Sequence, residues 1–253
     1  MGELDGRVAI VTGAGSGIGR GVALLLGREG AAIIVFDRDA AAAKTTAGQV
    51  AAAGGRAEAC VGDVTVSGDC RRAVDEAVVR FGRLDIVVNS AGIIRRADVV
   101  ATTEDEWDRV MNVNAKSIFL LGKHAVPVMA AAGGGSIVNI ASGWGLKGGA
   151  SAAAYCASKG AAVLLTRAMA IDHGPQSIRV NCICPGDTDT PMLADEARQL
   201  GESDEAFLAE AAARPLARLG TPQDMAQAVL FLVSDRSSWV TGASLVVDGG
   251  GLA

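Results

Sequence analysis

The sequence has little of what metal and nucleic-acid sites are made from. It holds two histidines, His124 and His173, far apart, which leaves no histidine-based zinc site to expect. Basic residues number 23 against 28 acidic ones, giving a formal charge of −5, so no cationic face for nucleic acid is indicated. No Cys-x-x-Cys pair occurs among the five cysteines, Cys60, Cys70, Cys156, Cys182 and Cys184. An odd, scattered set reads as free thiols in a reducing compartment. Apolar runs long enough to span a bilayer are missing too, because Lys123 and Arg167 break the two best candidates. The first residues, Met-Gly-Glu-Leu-Asp-Gly, carry neither a basic nor an apolar region, and Gly6 stands where a myristoylation signal needs Ser or Thr. A cytoplasmic protein with no membrane and no nucleic-acid partner is the expectation.

What is present is a hydrophobic chain of 253 residues, 50 % apolar and 20 % charged, enough for one large core without staples. Short apolar runs recur at 8–11, 32–36, 57–61, 86–88, 136–140, 178–183 and 244–247. Most are continuous, as in strands buried on both faces. Ala-rich stretches of helical length separate them. The pattern predicts one α/β domain over 1–253, a doubly wound Rossmann fold of about seven mostly parallel strands with helices on both faces. The rhythm breaks once, at 187–219, a polar segment with Pro191 and Pro215. It follows a predicted strand end, where ligands bind in open α/β sheets, so it is a candidate substrate lid.

The first strand runs into Thr12-Gly13-Ala14-Gly15-Ser16-Gly17-Ile18-Gly19. Gly13, Gly17 and Gly19 give a tight turn and a close backbone approach at a helix N-terminus, suited to a pyrophosphate. Alone it would equally be an ordinary strand–helix turn; its place in the first βα unit favours a dinucleotide. Asp37 ends the second strand, 18 residues after Gly19. A carboxylate there binds the adenosine ribose and repels a 2′-phosphate, which favours NAD over NADP, although Arg38 beside it could accept a phosphate. Tyr155, the single tyrosine, and Lys159 share a helix face at i,i+4. The ammonium would pull the phenol towards neutrality, as an acid–base on an alcohol or carbonyl requires. By itself the pair describes many helix surfaces. Ser142, after the strand at 136–140, would face the same crevice.

Taken in order, these motifs resemble the short-chain dehydrogenase/reductase family in its single-domain form. The likeness runs from Thr12–Gly19 through Asp63-Val64, Asn89-Ser90-Ala91-Gly92, Asn114, Ser142, Tyr155/Lys159 and Pro185-Gly186 to Val247-Asp248-Gly249-Gly250. It implies Tyr155 as acid–base, with Lys159 tuning it and holding the nicotinamide ribose. Ser142 would bind the substrate oxygen, and Asn114 would hold a water that relays protons through Lys159. A nicotinamide cofactor would lie along Gly13, Ser16, Gly17, Ile18, Gly19, Asp37, Asp63, Val64, Asn89, Ala91, Gly92, Pro185, Gly186, Thr188 and Thr190, besides Tyr155 and Lys159. Within that set Asp63 would meet the adenine edge, Asn89 would brace the central strand and Thr190 would meet the carboxamide. Ser90 replaces a usual Asn, and Asp187-Thr188-Asp189-Thr190 is unusually polar for the family.

Arg95, Arg96, Trp144 and Lys147 are the candidate substrate residues: a cationic rim and an apolar platform, unless the charges simply face solvent. Most of the acidic residues between Asp187 and Glu210 are expected to face solvent on the lid. Cys182 and Cys184, on one side of a strand, read as buried apolar thiols, and the histidines as helix-surface residues. The expected activity is hydride transfer between NAD(H) and a secondary alcohol or ketone that is small and polar or sugar-like. The alternative is a 3-oxoacyl-thioester (acyl carrier protein) reductase using NADPH, which Asp37 and the base-free segment 129–133 disfavour. A non-catalytic dinucleotide-binding protein is the third class. Broadly apolar segments at 118–132 and 154–171 predict a homotetramer.

Overall fold

The strands owe their continuous apolar runs to burial on two sides. In a computed structural model, which describes residues 2–253, they form one seven-stranded sheet. The strands are β1 (Val8–Thr12), β2 (Ala32–Asp37), β3 (Arg56–Val61), β4 (Ile86–Asn89), β5 (Gly135–Ile140), β6 (Ile178–Pro185) and β7 (Ser244–Val247). Their order is β3-β2-β1-β4-β5-β6-β7 and every pairing is parallel. Alternate residues serve opposite cores. Val8 and Ile10 of β1, with Ile34 and Phe36 of β2, pack against α3 (Ser67–Phe81), α5 (Ser117–Ala131) and α6 (Ala153–His173). Ala9, Val11, Ile33 and Val35 pack against α1 (Gly17–Arg28), α2 (Ala40–Ala52) and α9 (Pro222–Val233).

The chain leaves β1 to build β2 and β3 on one side, then returns to place β4 on the other. A crevice opens at such a reversal, beyond the carboxyl ends of the strands. The strand ends there are polar. Thr12, Asp37 and Asn89 extend β1, β2 and β4 past their apolar runs, because the ladder continues through them. Asp37 and Asn89 pair in register with Val61 and Asn139. Segment 187–219 is not extended loop. It contains α7 (Pro191–Leu200) and α8 (Asp204–Ala212), joined by their own cluster of Leu193, Ala197 and Phe207. Its base is closed by Asp189 N–H donating to the Gly220 carbonyl and Gly220 N–H to the Asp187 carbonyl, both at 2.9 Å. Between α4 (Glu104–Met111) and α5, residues Asn112–Lys116 form one π-helical turn, a feature that periodicity does not announce.

Candidate active site

The glycine loop after β1 is shaped by close approach. Gly13 and Gly17 sit at φ +61° and +51°, left-handed values that favour glycine. A Cβ on Gly13 would come within 2.8 Å of the Ala91 Cα, so the loops after β1 and β4 touch through backbone. Thr12 Oγ1 fixes that contact by accepting from the Ser90 and Ala91 N–H groups, each at 3.0 Å. Ser16 precedes α1, but its side chain makes no capping bond. The first N–H groups of the helix therefore face the crevice, where an anion would satisfy them.

Asp37 lines the same cavity as this loop and is already partly engaged. Its Oδ2 accepts from Gly15 N–H at 2.8 Å and its Oδ1 from Asp39 N–H at 2.9 Å. Gly15, outside the Gly13, Gly17 and Gly19 spacing, is needed here: its Cβ would lie 2.8 Å from Asp37 Oδ2. Asp63 turns its carboxylate onto Thr65, accepting from N–H and Oγ1 at 2.8 Å. Asn89 reaches sideways within the sheet. Its amide donates to Asn139 Oδ1 at 2.8 Å, and Asn139 donates to Thr166 on α6 at the same distance.

The cavity, of about 400 Å³, joins the glycine loop to the ends of β4, β5 and β6. Gly13, Ser16, Gly17, Ile18, Gly19, Asp37, Asp63, Val64, Ala91, Gly92, Pro185, Gly186, Thr188 and Thr190 line it, with Ser142, Tyr155 and Lys159 deeper in the cleft. Asn89 and Asn114 stand behind the lining. A nicotinamide dinucleotide fits this wall: glycines leave room for a pyrophosphate, and a Cβ on Gly92 would sit 3.4 Å from Lys159 Nζ and 3.5 Å from Asn114 Oδ1.

Tyr155 and Lys159 occupy one face of α6, one turn apart, both buried. Lys159 Nζ donates to the Ile140 carbonyl at 2.7 Å and lies 5.7 Å from the Tyr155 ring centroid. Burial pulls its ammonium down to about 8. The phenol does not follow the expected direction. Burial pushes Tyr155 well above its ordinary value, the Ser142 hydroxyl pulls it partly back, and the carboxylates of Glu196 and Asp187 add to the rise. Desolvation of a phenolate outweighs an ammonium that is itself turned onto a carbonyl. Ser142 Oγ also accepts from Trp144 N–H at 3.1 Å. The Trp144 ring meets Tyr155 edge-on at 6.1 Å between centroids. Asn114 lies in the π-turn. It pins the loop after β4, its Oδ1 accepting from Ile93 N–H at 2.8 Å while its Nδ2 donates to the Ile93 carbonyl and Ser158 Oγ at 2.9 Å.

The candidate substrate residues separate. Trp144 and Lys147 line the cavity, and Lys147 Nζ reaches the Gly251 carbonyl at 3.4 Å. Arg95 turns away onto Glu106 of α4 at 2.6 Å. The Arg96 guanidinium carbon sits over Trp144, 5.0 Å from the ring centroid, and the side chain pairs with Glu196 at 2.9 Å. Both guanidiniums of the expected cationic rim are therefore neutralised, by Glu106 and Glu196, which leaves Lys147 as its cation on the cavity wall. Glu196 is the exception among the acidic residues of 187–219: it is buried, and its carboxyl is pushed up by that burial and pulled back by Arg96. Ile93, Ile94, Met192, Leu193 and Leu252 complete the wall. Met192 and Leu193 lie in the segment read as a candidate lid, whereas Ile93, Ile94 and Leu252 are not among the candidate substrate residues. His124 bridges to Ser67 at 2.9 Å, and Cys182 and Cys184 are free and buried.

Comparison with known proteins agrees across nearly the whole chain. A family model described as enoyl-(acyl carrier protein) reductase matches residues 13–251. A cyclohexanol dehydrogenase of Acinetobacter sp. is 39 % identical over 98 % of this chain and 95 % of its own. A 3-oxoacyl-[acyl-carrier-protein] reductase of Thermotoga maritima is 37 % identical over 98 % of both. The crystal structure of a proposed NAD(P)-dependent gluconate 5-dehydrogenase from Beutenbergia cavernae, with NADP bound at low occupancy, superposes with a TM-score of 0.91. It is 40 % identical and covers 98 % of each chain. With an all-parallel sheet that reverses at β1/β4 and Ser142, Tyr155 and Lys159 gathered in its crevice, the chain belongs to the short-chain dehydrogenase/reductase family of oxidoreductases.

Proposed function

We propose that the protein is an NAD-dependent dehydrogenase of a small secondary alcohol, polar or sugar-like. The observation that carries this is one continuous cavity holding the glycine loop, Asp37, Ser142, Tyr155 and Lys159. Asp37 presents its carboxylate beside Gly15, where an adenosine ribose would lie, and so favours NAD over NADP. The bound nicotinamide supplies a hydride acceptor. Tyr155 Oη takes the proton of the substrate hydroxyl while Ser142 Oγ donates to the oxygen as it becomes a carbonyl. Lys159 steadies the phenolate, and Asn114 holds the loop that carries Ile93 and Ile94 beside it. The segment 187–219 serves as a lid, bringing Met192, Leu193 and Glu196 to the pocket wall.

Cyclic alcohols, polyols, hydroxy acids and 3-hydroxyacyl thioesters, each tried with NAD and with NADP by nicotinamide absorbance, test the assignment. A neutral secondary alcohol with NAD is expected to give the highest kcat/KM. Preference for a 3-oxoacyl thioester with NADPH would transfer the chain to carrier-protein chemistry, as in the Thermotoga relative.

We also propose a homotetramer. Phe119 on α5, with Leu164 and Ile171 on α6, is exposed, the last at 77 %. Trp239, before the edge strand β7, is 99 % exposed and Val246 on that strand is partly open. Two apolar surfaces in different parts of the fold suit two self-complementary interfaces, and hence D₂ symmetry. Light scattering should give about four times the 25.5 kDa chain mass; a monomer mass would refute this. No helix among the described residues is long and apolar enough to cross a membrane. The free thiols fit a reducing cytoplasm.

A further inference from the structure

Arg96 and Glu196 form an ion pair that the chemistry above does not use. Their side chains are only 10 % and 11 % exposed, and they join the loop after β4 to the lid helix α7. Arg96 is held from three sides. Its Nη1 donates to Glu196 Oε2 at 2.9 Å, its Nε to the Ser151 carbonyl at 3.3 Å and its Nη2 to the Ala150 carbonyl at 3.2 Å. Trp144 covers its face. Gln199, also on α7, closes the same seam, accepting from Arg96 N–H at 2.9 Å. Glu196 therefore stands between a fixed guanidinium and the cavity it lines. One of its oxygens is taken by Arg96; the other has no protein donor among the described residues.

We infer that Glu196 decides the charge of the ligand this pocket accepts. By occupying Arg96 it makes that wall neutral, offers an acceptor oxygen to a substrate hydroxyl and turns away a carboxylate. The inference rests on the alcohol dehydrogenase reading and narrows it to uncharged, hydroxyl-bearing substrates. The rest of the wall is consistent with this. Arg214 is paired with Asp187, Lys159 is turned onto the Ile140 carbonyl, Lys147 Nζ reaches the Gly251 carbonyl at 3.4 Å, and Arg38 lies next to Asp37 on the glycine-loop side of the cavity. A substrate carboxylate entering beside Glu196 would meet like charge, with the Arg96 guanidinium already engaged. If the glutamate side chain is removed, Arg96 is left buried and unpaired beside vacated space, the arrangement that binds a carboxylate tightly.

The test compares two ligands of one shape, cyclohexanecarboxylate and cyclohexanecarboxamide, titrated by calorimetry into the NAD-loaded protein. The parent should bind the amide more tightly. In Glu196→Ala the affinity ratio should move towards the carboxylate by roughly tenfold or more, the effect of one charged hydrogen bond. In the double variant Arg96→Ala/Glu196→Ala that gain should vanish. Because the readout is a ratio, a loosened lid that weakens both ligands leaves it readable, and Glu196→Gln gives a shape-preserving second reading in the same direction. An unmoved ratio in both single variants overturns the inference. So does a gain that survives loss of Arg96, which would assign the charge selection to Lys147 or Arg214. Failure of the underlying reading shows separately, as no turnover of any alcohol in the panel above by the parent with either nicotinamide.

Discussion

Tyr155→Phe is expected to lower alcohol oxidation by about 10²–10⁴-fold, the usual contribution of a positioned acid–base. The ring is buried against Trp144, and phenylalanine keeps that packing. What disappears is the hydroxyl that meets Ser142 and takes the substrate proton. Cofactor affinity and the melting temperature should therefore stay close to the parent values. Turnover within threefold of the parent would remove Tyr155 from the chemistry. The pH dependence has a definite sign. Burial and the nearby carboxylates hold the phenol above its ordinary value, so near neutrality Tyr155 carries its proton. The oxidative direction needs the phenolate and should rise with pH. The reductive direction needs the proton and should fall. Stopped-flow absorbance in the two directions reads both limbs.

The sequence was informative where a residue's role is local. Seven apolar runs located all seven strands, since burial on both faces leaves a continuous signature. The runs stopped one or two residues early at β1, β2, β4 and β6, where Thr12, Asp37, Asn89 and the segment to Pro185 continue the ladder beyond the apolar stretch. Those polar ends are where the crevice begins. Tyr155 and Lys159 were readable because four residues on a helix always share a face. The pairings of Arg95 and Arg96 were not. Arg95 has its partner on α4, and Arg96 finds Glu196 on a helix 100 residues further on. Only the folded segment 187–219 brings that carboxylate inside, so a composition-based reading leaves both arginines as free cations. The direction of the Tyr155 shift was missed for a related reason. Spacing reports how near a charge can come, whereas the loss of water around the phenol depends on everything packed above it. Gly15 was passed over because its purpose lies in the fold: it admits the Asp37 carboxylate, which approaches from β2.

Asp37→Ala is expected to raise the ratio of kcat/KM for NADP to that for NAD by about ten- to a hundredfold. Two effects act in the same direction. A hydrogen bond from a ribose hydroxyl to a carboxylate contributes about 1.5–3 kcal/mol, and each 1.4 kcal/mol is tenfold in affinity. Its loss weakens NAD. The same carboxylate would repel a 2′-phosphate, and removing it leaves Arg38, the next residue and also on the cavity lining, free to meet the phosphate. That strengthens NADP. The substitution also frees the Gly15 and Asp39 N–H groups that Asp37 now holds at 2.8 and 2.9 Å. Both cofactors should lose some affinity from the loosened loop, which is why the ratio is the quantity to measure. Asp37→Ala/Arg38→Ala separates the two effects: it should keep the loss of NAD and abolish the gain of NADP. A parent enzyme that already prefers NADP would assign the selection to Arg38, with Asp37 reduced to bracing the glycine loop. An unchanged ratio in Asp37→Ala would place the ribose elsewhere on this wall.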